Sequence, residues 1–143
     1  MNLTLRPCAG EAELSDPAVT GVFAEQMATL AAEEQEPPWC GYIGWLGDVP
    51  MGFGGFVGVP DSARVVEIGY LTFPANEGRG VAKEIARNLV AIARREGASA
   101  VIAHTLPNEG ASTRVLGHLG FRREGTAIDP DEGEVWRWRF DLV

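Results

Sequence analysis

The stretch NEGRGVAKEIARN, residues 76–88, sets Arg79 between Gly78 and Gly80 directly before a run with helical apolar spacing. A helix start carries unpaired amide donors and about half a positive charge from its aligned peptide dipoles, which suits it to an anion. Glycines there let a phosphate reach the backbone. Gly78, Arg79, Gly80, Val81 and Ala82 would aim successive amides at a pyrophosphate, with the Arg79 guanidinium adding charge. A tight turn that needs positive φ explains the same glycines without any ligand. Neither GxxxxGK[ST] nor a GxGxxG that follows a strand and opens a helix is present. Cys8 and Cys40 match no metal-ligand spacing and no disulfide framework, and are expected as reduced, partly buried thiols.

The elements that must position this loop follow from periodicity. Residues 65–73 alternate strictly, with Val66, Ile68 and Tyr70 on one face and Val65, Glu67, Gly69 and Leu71 on the other, which predicts a central strand ended by Pro74. Over residues 80–96 Val81, Ile85, Leu89 and Ile92 form one stripe, and Gly97 stops the helix. Residues 100–105 are a short apolar strand, joined to the central strand through that helix as a crossover unit. Asn108 is expected to cap a helix over 109–119 that Gly120 ends, and 121–126 with 134–143 read as a hairpin around the acidic turn Asp129-Pro130-Asp131-Glu132-Gly133. In the last strand Trp136, Trp138, Phe140 and Leu142 face together. Upstream, residues 3–6 predict a short strand and residues 17–34 an amphipathic helix. Residues 39–59, with seven glycines and the turn signal Gly47-Asp48, predict two antiparallel strands.

The chain has 143 residues, 45% hydrophobic and 22% charged, ordinary globular values that predict one core. No apolar run approaches the roughly 18 residues that cross a bilayer, and the first residues lack a signal pattern, so a cytoplasmic protein without a membrane partner is expected. A net charge of -8 argues against a nucleic-acid backbone footprint and suits a cationic small molecule or basic peptide end.

Two stretches in order, EIGYLTFPANEGRGVAKE and then VIAHTLPNEGASTRVLGHLGF, resemble the GNAT superfamily of acyl-CoA-dependent N-acyltransferases. The nearest resemblance is to its ribosomal-protein N-terminal acetyltransferase branch, and the match covers about residues 51–143. It implies an α/β (α+β) fold in which residues 1–143 are a single domain, with a central mixed, mostly antiparallel twisted sheet and helices on both faces. It implies acetyl-CoA as cosubstrate and no metal. The family's loop pattern is met at Gly80 and Ala82, whereas Glu77 stands where Gln or Arg is commoner. A carboxylate beside a pyrophosphate repels it unless it turns to solvent, and Arg79 offsets it. The resemblance further implies a splay of the central strand near Leu71, Thr72 and Phe73, whose backbone would bond the pantetheine arm like a missing strand, with Asn108 and Ser112 along the same arm.

Acyl transfer to an amine needs a neutral nucleophile, a donor to the tetrahedral oxyanion and an exit for the thiolate. By resemblance Glu67 is the candidate general base, acting directly or through water. A solvated carboxylate, or one paired with an arginine, is the alternative. The usual leaving-group tyrosine is replaced by Leu116, so Ser112 is the candidate acid, although an early-helix serine also bonds local backbone. Deprotonating a lysine-like amine at pH 7 costs about 4 to 5 kcal/mol against about 1 kcal/mol for an α-amine, which favours an α-amine, on a peptide terminus or an amino-acid-like substrate, as acceptor. His104 either assists proton transfer or fills a polar core edge. His118 is expected to face solvent. Trp136 and Trp138 are expected in the core or at the acceptor pocket. The face of the last strand offers a surface on which a homodimer could pair. A non-catalytic acyl-CoA-binding module is the competing reading, as Glu77 and the missing tyrosine suggest.

Overall fold

Alternation in the strands and a single apolar stripe in each helix leave one arrangement that buries both: a twisted sheet under helices. The computed structural model describes residues 2–7, 36–72 and 77–142; the helix expected over 17–34, Cys8 and Phe73 lie outside them. Among the described residues, strands β1 (Thr4–Pro7), β2 (Gly41–Leu46), β3 (Val49–Val57), β4 (Val65–Thr72), β5 (Ala100–Thr105), β6 (Arg122–Asp129) and β7 (Gly133–Asp141) form one sheet in the order β1-β2-β3-β4-β5-β7-β6. Helix α1 (Val81–Arg95) joins β4 to β5, and α2 (Ala111–Leu119) joins β5 to β6. All neighbouring pairs run antiparallel except β4 with β5. The mixed, mostly antiparallel α+β sheet is the one expected, whereas the two described helices lie on one of its faces rather than on both.

Register fixes the faces, since cross-strand partners share one. Tyr42 pairs with Gly54, Gly54 with Tyr70, Ile68 with Ala103 and Ala103 with Trp138. This face receives α1, whose Ile85, Ala86, Leu89 and Ala93 are fully buried, and α2 packs beside α1. A shared face is what two successive right-handed crossovers in the same direction require. Gly54 shows why the β2–β3 segment is rich in glycine. A Cβ there would collide with Ile85 Cγ2 and lie 3.1 Å from Leu89 Cδ1, so the helix can approach the sheet only over a bare backbone.

Trp138 enters the core, 9% exposed, and donates its indole N–H to Thr105 Oγ1 at 3.0 Å. The expectation of core packing holds for this residue. β7 lies between β5 and β6, so both its edges are paired, and its opposite face carries Arg137 and Arg139. The acidic turn is tied by Asp129 Oδ1, which accepts from the amides of Asp131 at 2.8 Å and Glu132 at 3.0 Å and holds the Asp129 carboxyl below its ordinary range.

Candidate active site

The ladder between β4 and β5 runs from Val65 opposite Ala100 to Ile68 opposite Ala103 and stops there, although β4 continues to Thr72 and β5 to Thr105. Beyond Ile68 the β3 ladder still holds the other edge of β4, through Leu71 opposite Phe53 and Thr72 opposite Gly52. Among the described residues the edge of β4 that faces β5 therefore has no strand partner from Gly69 onward. The parting begins earlier than the expected place near Leu71, Thr72 and Phe73, while β5 stays paired with β7 through Thr105.

Both helices begin at this opening. Each follows the carboxyl end of one of the two parallel strands, so the amide-rich ends of α1 and α2 meet where the strands diverge, the usual ligand position in such a unit. Gly78 has φ 79° and Gly80, the residue before α1, has φ 78° and ψ 16°. That conformation is costly for a residue with a Cβ, so the turn itself requires glycine at both positions. A Cβ at either would meet nothing within 4 Å. The space beside both glycines is therefore open among the described residues, and Glu77 and Arg79 are both exposed.

α2 starts at Ala111, after Gly110, and not at Glu109 as expected. Asn108 does not cap it. Thr113 does, with Oγ1 accepting from the Gly110 amide at 2.9 Å. Asn108 is exposed in the turn that precedes the helix, its amide bonded to the Leu106 carbonyl at 2.8 Å. Ser112 is exposed on the first turn, and its hydroxyl has no hydrogen-bond partner among the described residues, which leaves it available. Leu116 is fully buried, as its apolar type requires. The Tyr70 hydroxyl donates to the Ser112 carbonyl at 3.4 Å and so ties the first turn of α2 to β4 beside the parting; burial pushes its phenol pKa up. Nothing in the sequence reading marked Tyr70 beyond its face.

Glu67 and His104 meet on the sheet face away from α1 and α2. Glu67 Oε2 lies 3.3 Å from His104 Nδ1, with the side chains 31% and 23% exposed. His104 is the first β5 residue past the last paired couple, so the contact sits at the base of the opening. Glu67 is thus paired, with a histidine rather than an arginine. The neighbouring arginine, Arg137, is taken by Glu124 at 2.8 Å. His118 is exposed in the last turn of α2, as expected. Among the described residues no three of His, Cys, Asp and Glu gather to hold a metal ion, and no helix is long and apolar enough to cross a membrane.

The fold that carries this opening is shared with known proteins. Residues 5–122 match the family model described as acetyltransferase (GNAT) domain. The chain belongs to the GNAT acetyltransferase family. The acyltransferase class expected from the sequence stands on this membership. Among solved structures, a GCN5-related N-acetyltransferase from Kribbella flavida superposes with a TM-score of 0.76 at 20% identity, covering 97% of each chain. Aminoglycoside acetyltransferase AAC(6')-Ib, solved with coenzyme A, gives 0.75 at 19% identity over 98% of this chain and 95% of its own. YncA from Salmonella typhimurium, solved with its cofactor acetyl-CoA, gives 0.67 at 18% identity over 100% of this chain and 95% of its own. No curated protein matches the sequence.

Proposed function

We propose that residues 1–143 act as one acetyl-CoA-dependent N-acetyltransferase domain that passes the acetyl group to a primary amine by direct attack in a ternary complex. The observation that carries this is the parting of β4 from β5 after Ile68 and Ala103, under two helix starts. In this reading the pyrophosphate sits on the amides of Gly78, Arg79, Gly80, Val81 and Ala82. The pantetheine arm lies along the free edge of β4, bonded by backbone of Leu71, Thr72 and Phe73, with Asn108 on the opposite bank. The open space before Gly80 fits such a group, since nothing of the described chain fills it. Two of the similar structures hold coenzyme A or acetyl-CoA, which supports the same cosubstrate here.

Glu67 supplies the basic end of the site, directly or through water, and takes up the positive charge that the attacking amine must shed. A backbone amide at the free edge of β4 steadies the oxyanion. Ser112, with an uncommitted hydroxyl at the start of α2, protonates the departing thiolate. No covalent enzyme intermediate is required. The acceptor is an amine-bearing small molecule or a peptide N-terminus. The ribosomal-protein branch, and with it a peptide terminus, rests on the sequence motifs alone. A homodimer through the outward face of β7 would have to join a polar surface, because Arg137 and Arg139 there are paired with Glu124 and Asp141.

A binding module without turnover is the second reading, favoured by the burial of Leu116 where the family carries a hydroxyl. Calorimetric titration with acetyl-CoA, run beside Gly80→Glu, tests the loop: saturable binding is expected for the wild type and none for the variant. An amine screen with Glu67→Gln as control then separates the readings. Transfer by the wild type, reduced about 10²- to 10⁴-fold in Glu67→Gln, supports the enzyme. Binding without transfer supports the module, and no binding overturns both.

A further inference from the structure

The contact between Glu67 and His104 is more than a polar filling of the sheet face. Nδ1 of His104 faces the carboxylate at 3.3 Å, and Nε2 makes no hydrogen bond among the described residues. A carboxylate at one ring nitrogen holds the proton on that nitrogen and leaves the other with its lone pair. The ring stands one residue past the end of the β4–β5 ladder, on the face away from the helices. An acceptor entering from that face meets the imidazole at the parting, while the carboxylate lies one step further back, beside Ile102.

We propose that His104 Nε2 is the atom that takes the amine proton, with Glu67 as the positioning residue that fixes the tautomer and offsets the imidazolium. The proposal rests on the transferase reading above and names the base within it. The proton account closes. The neutral amine attacks the thioester carbon and the C–N bond forms. The amine proton passes to Nε2, the C–S bond breaks, and coenzyme A leaves as the thiolate, which takes a proton from the site or from solvent. The imidazolium then returns its proton to solvent before the next turnover.

The charged groups around the ring fit this role. From β4 it faces Glu67, and from β7 its register partner is Arg137, whose guanidinium Glu124 of β6 holds at 2.8 Å. Asp129, at the far end of β6, lies within Coulombic reach of the ring. Arg137 is thus held by Glu124, which also lies 3.9 Å from Arg139, itself paired with Asp141, and neither arginine pairs with Glu67 among the described residues.

The chain has two histidines, so its imidazole spectrum is simple. Long-range proton–nitrogen NMR of the full chain is expected to show His104 protonated on Nδ1 in the wild type. In Glu67→Ala it should move to the tautomer mixture of exposed His118. A ring protonated on Nε2 in the wild type, or one that ignores the loss of Glu67, overturns the dyad whatever the acceptor. For turnover, acetyl-CoA is paired with kanamycin, spermidine and a peptide bearing a free N-terminus. His104→Gln should bind acetyl-CoA as the wild type does and lose about 100-fold in kcat/KM, together with the acid limb of its pH profile. Glu67→Asp should retain more activity than Glu67→Gln. The double variant His104→Gln, Glu67→Gln should be no slower than the worse single one, as for groups acting as a unit. Transfer by His104→Gln at the wild-type rate ends the role of the ring alone. Wild-type protein that fails to bind acetyl-CoA ends the transferase reading itself, and binding without transfer to any of the three acceptors overturns the catalytic role in favour of the module.

Discussion

Ser112 and Leu116 stand one helical turn apart on α2 and have opposite environments: the serine is exposed with an uncommitted hydroxyl, the leucine fully buried. A buried position cannot offer a proton to a leaving group, so acid catalysis from this helix falls to its first turn. A thiol near the ordinary cysteine value of about 8.5 leaves readily as its anion, and the acid then contributes little. Ser112→Ala is therefore expected to lower kcat less than about tenfold without changing the affinity for acetyl-CoA, as steady-state kinetics beside calorimetry would show. A fall of about 1,000-fold would instead make the serine an obligatory acid. The candidate residues were legible because their types and spacing are local. The partner of Glu67 was not, because the choice between arginine and histidine depends on which strand lies beside β4 and in what register.

At the scale of elements, α1 is held by shape. Its stripe of Ile85 and Leu89 lies on Gly54, where any Cβ would strike Ile85. Overpacking of this kind commonly costs about 1 to 3 kcal/mol, so Gly54→Ala should lower the unfolding free energy by that much, seen as a lower urea midpoint at an unchanged slope. Ile85→Ala alone leaves a cavity worth about 2 to 5 kcal/mol, yet in the Gly54→Ala background it should cost less, since the added methyl partly fills the space. Additive losses would show that helix and sheet are not in contact at this point. Of the glycines in residues 39–59, Gly44 and Gly54 are thus part of the helix–sheet interface, both against Ile85. Their purpose was hidden in the sequence because the side chains that need the space come some thirty residues or more later. The helix over 109–119 was legible from its apolar spacing and its glycine stop. Its first residue was misplaced because Thr113, not Asn108, satisfies the first amide.

At the scale of the whole molecule, one sheet carries its two tyrosines on the helix face, and burial raises both phenols. Tyr42 donates to the Pro38 carbonyl at 2.7 Å and Tyr70 to the Ser112 carbonyl. A phenol raised in the folded state stays neutral there while the unfolded chain ionises near pH 10. Its contribution is therefore complete below about pH 10 and is lost as pH rises above it. Urea unfolding should show stability falling from about pH 10 upward, with a shallower slope in Tyr42→Phe and Tyr70→Phe. Equal slopes in all three proteins would mean that the phenols are not protected. Tyr70→Phe should also cost about 0.5 to 1.5 kcal/mol at neutral pH, the worth of one hydrogen bond.

The sequence by itself determined the order of strands and helices along the chain, the faces of β4 and β7, the glycine turn before α1 and the acyltransferase family, because period, turn chemistry and motif spacing are properties of neighbours along the chain. Tertiary structure alone decided where β4 parts from β5, that α1 and α2 share a face, and that Glu67 meets His104. Each depends on register between strands distant in sequence, and a strand's own residues do not say which partner it takes or where the pairing stops.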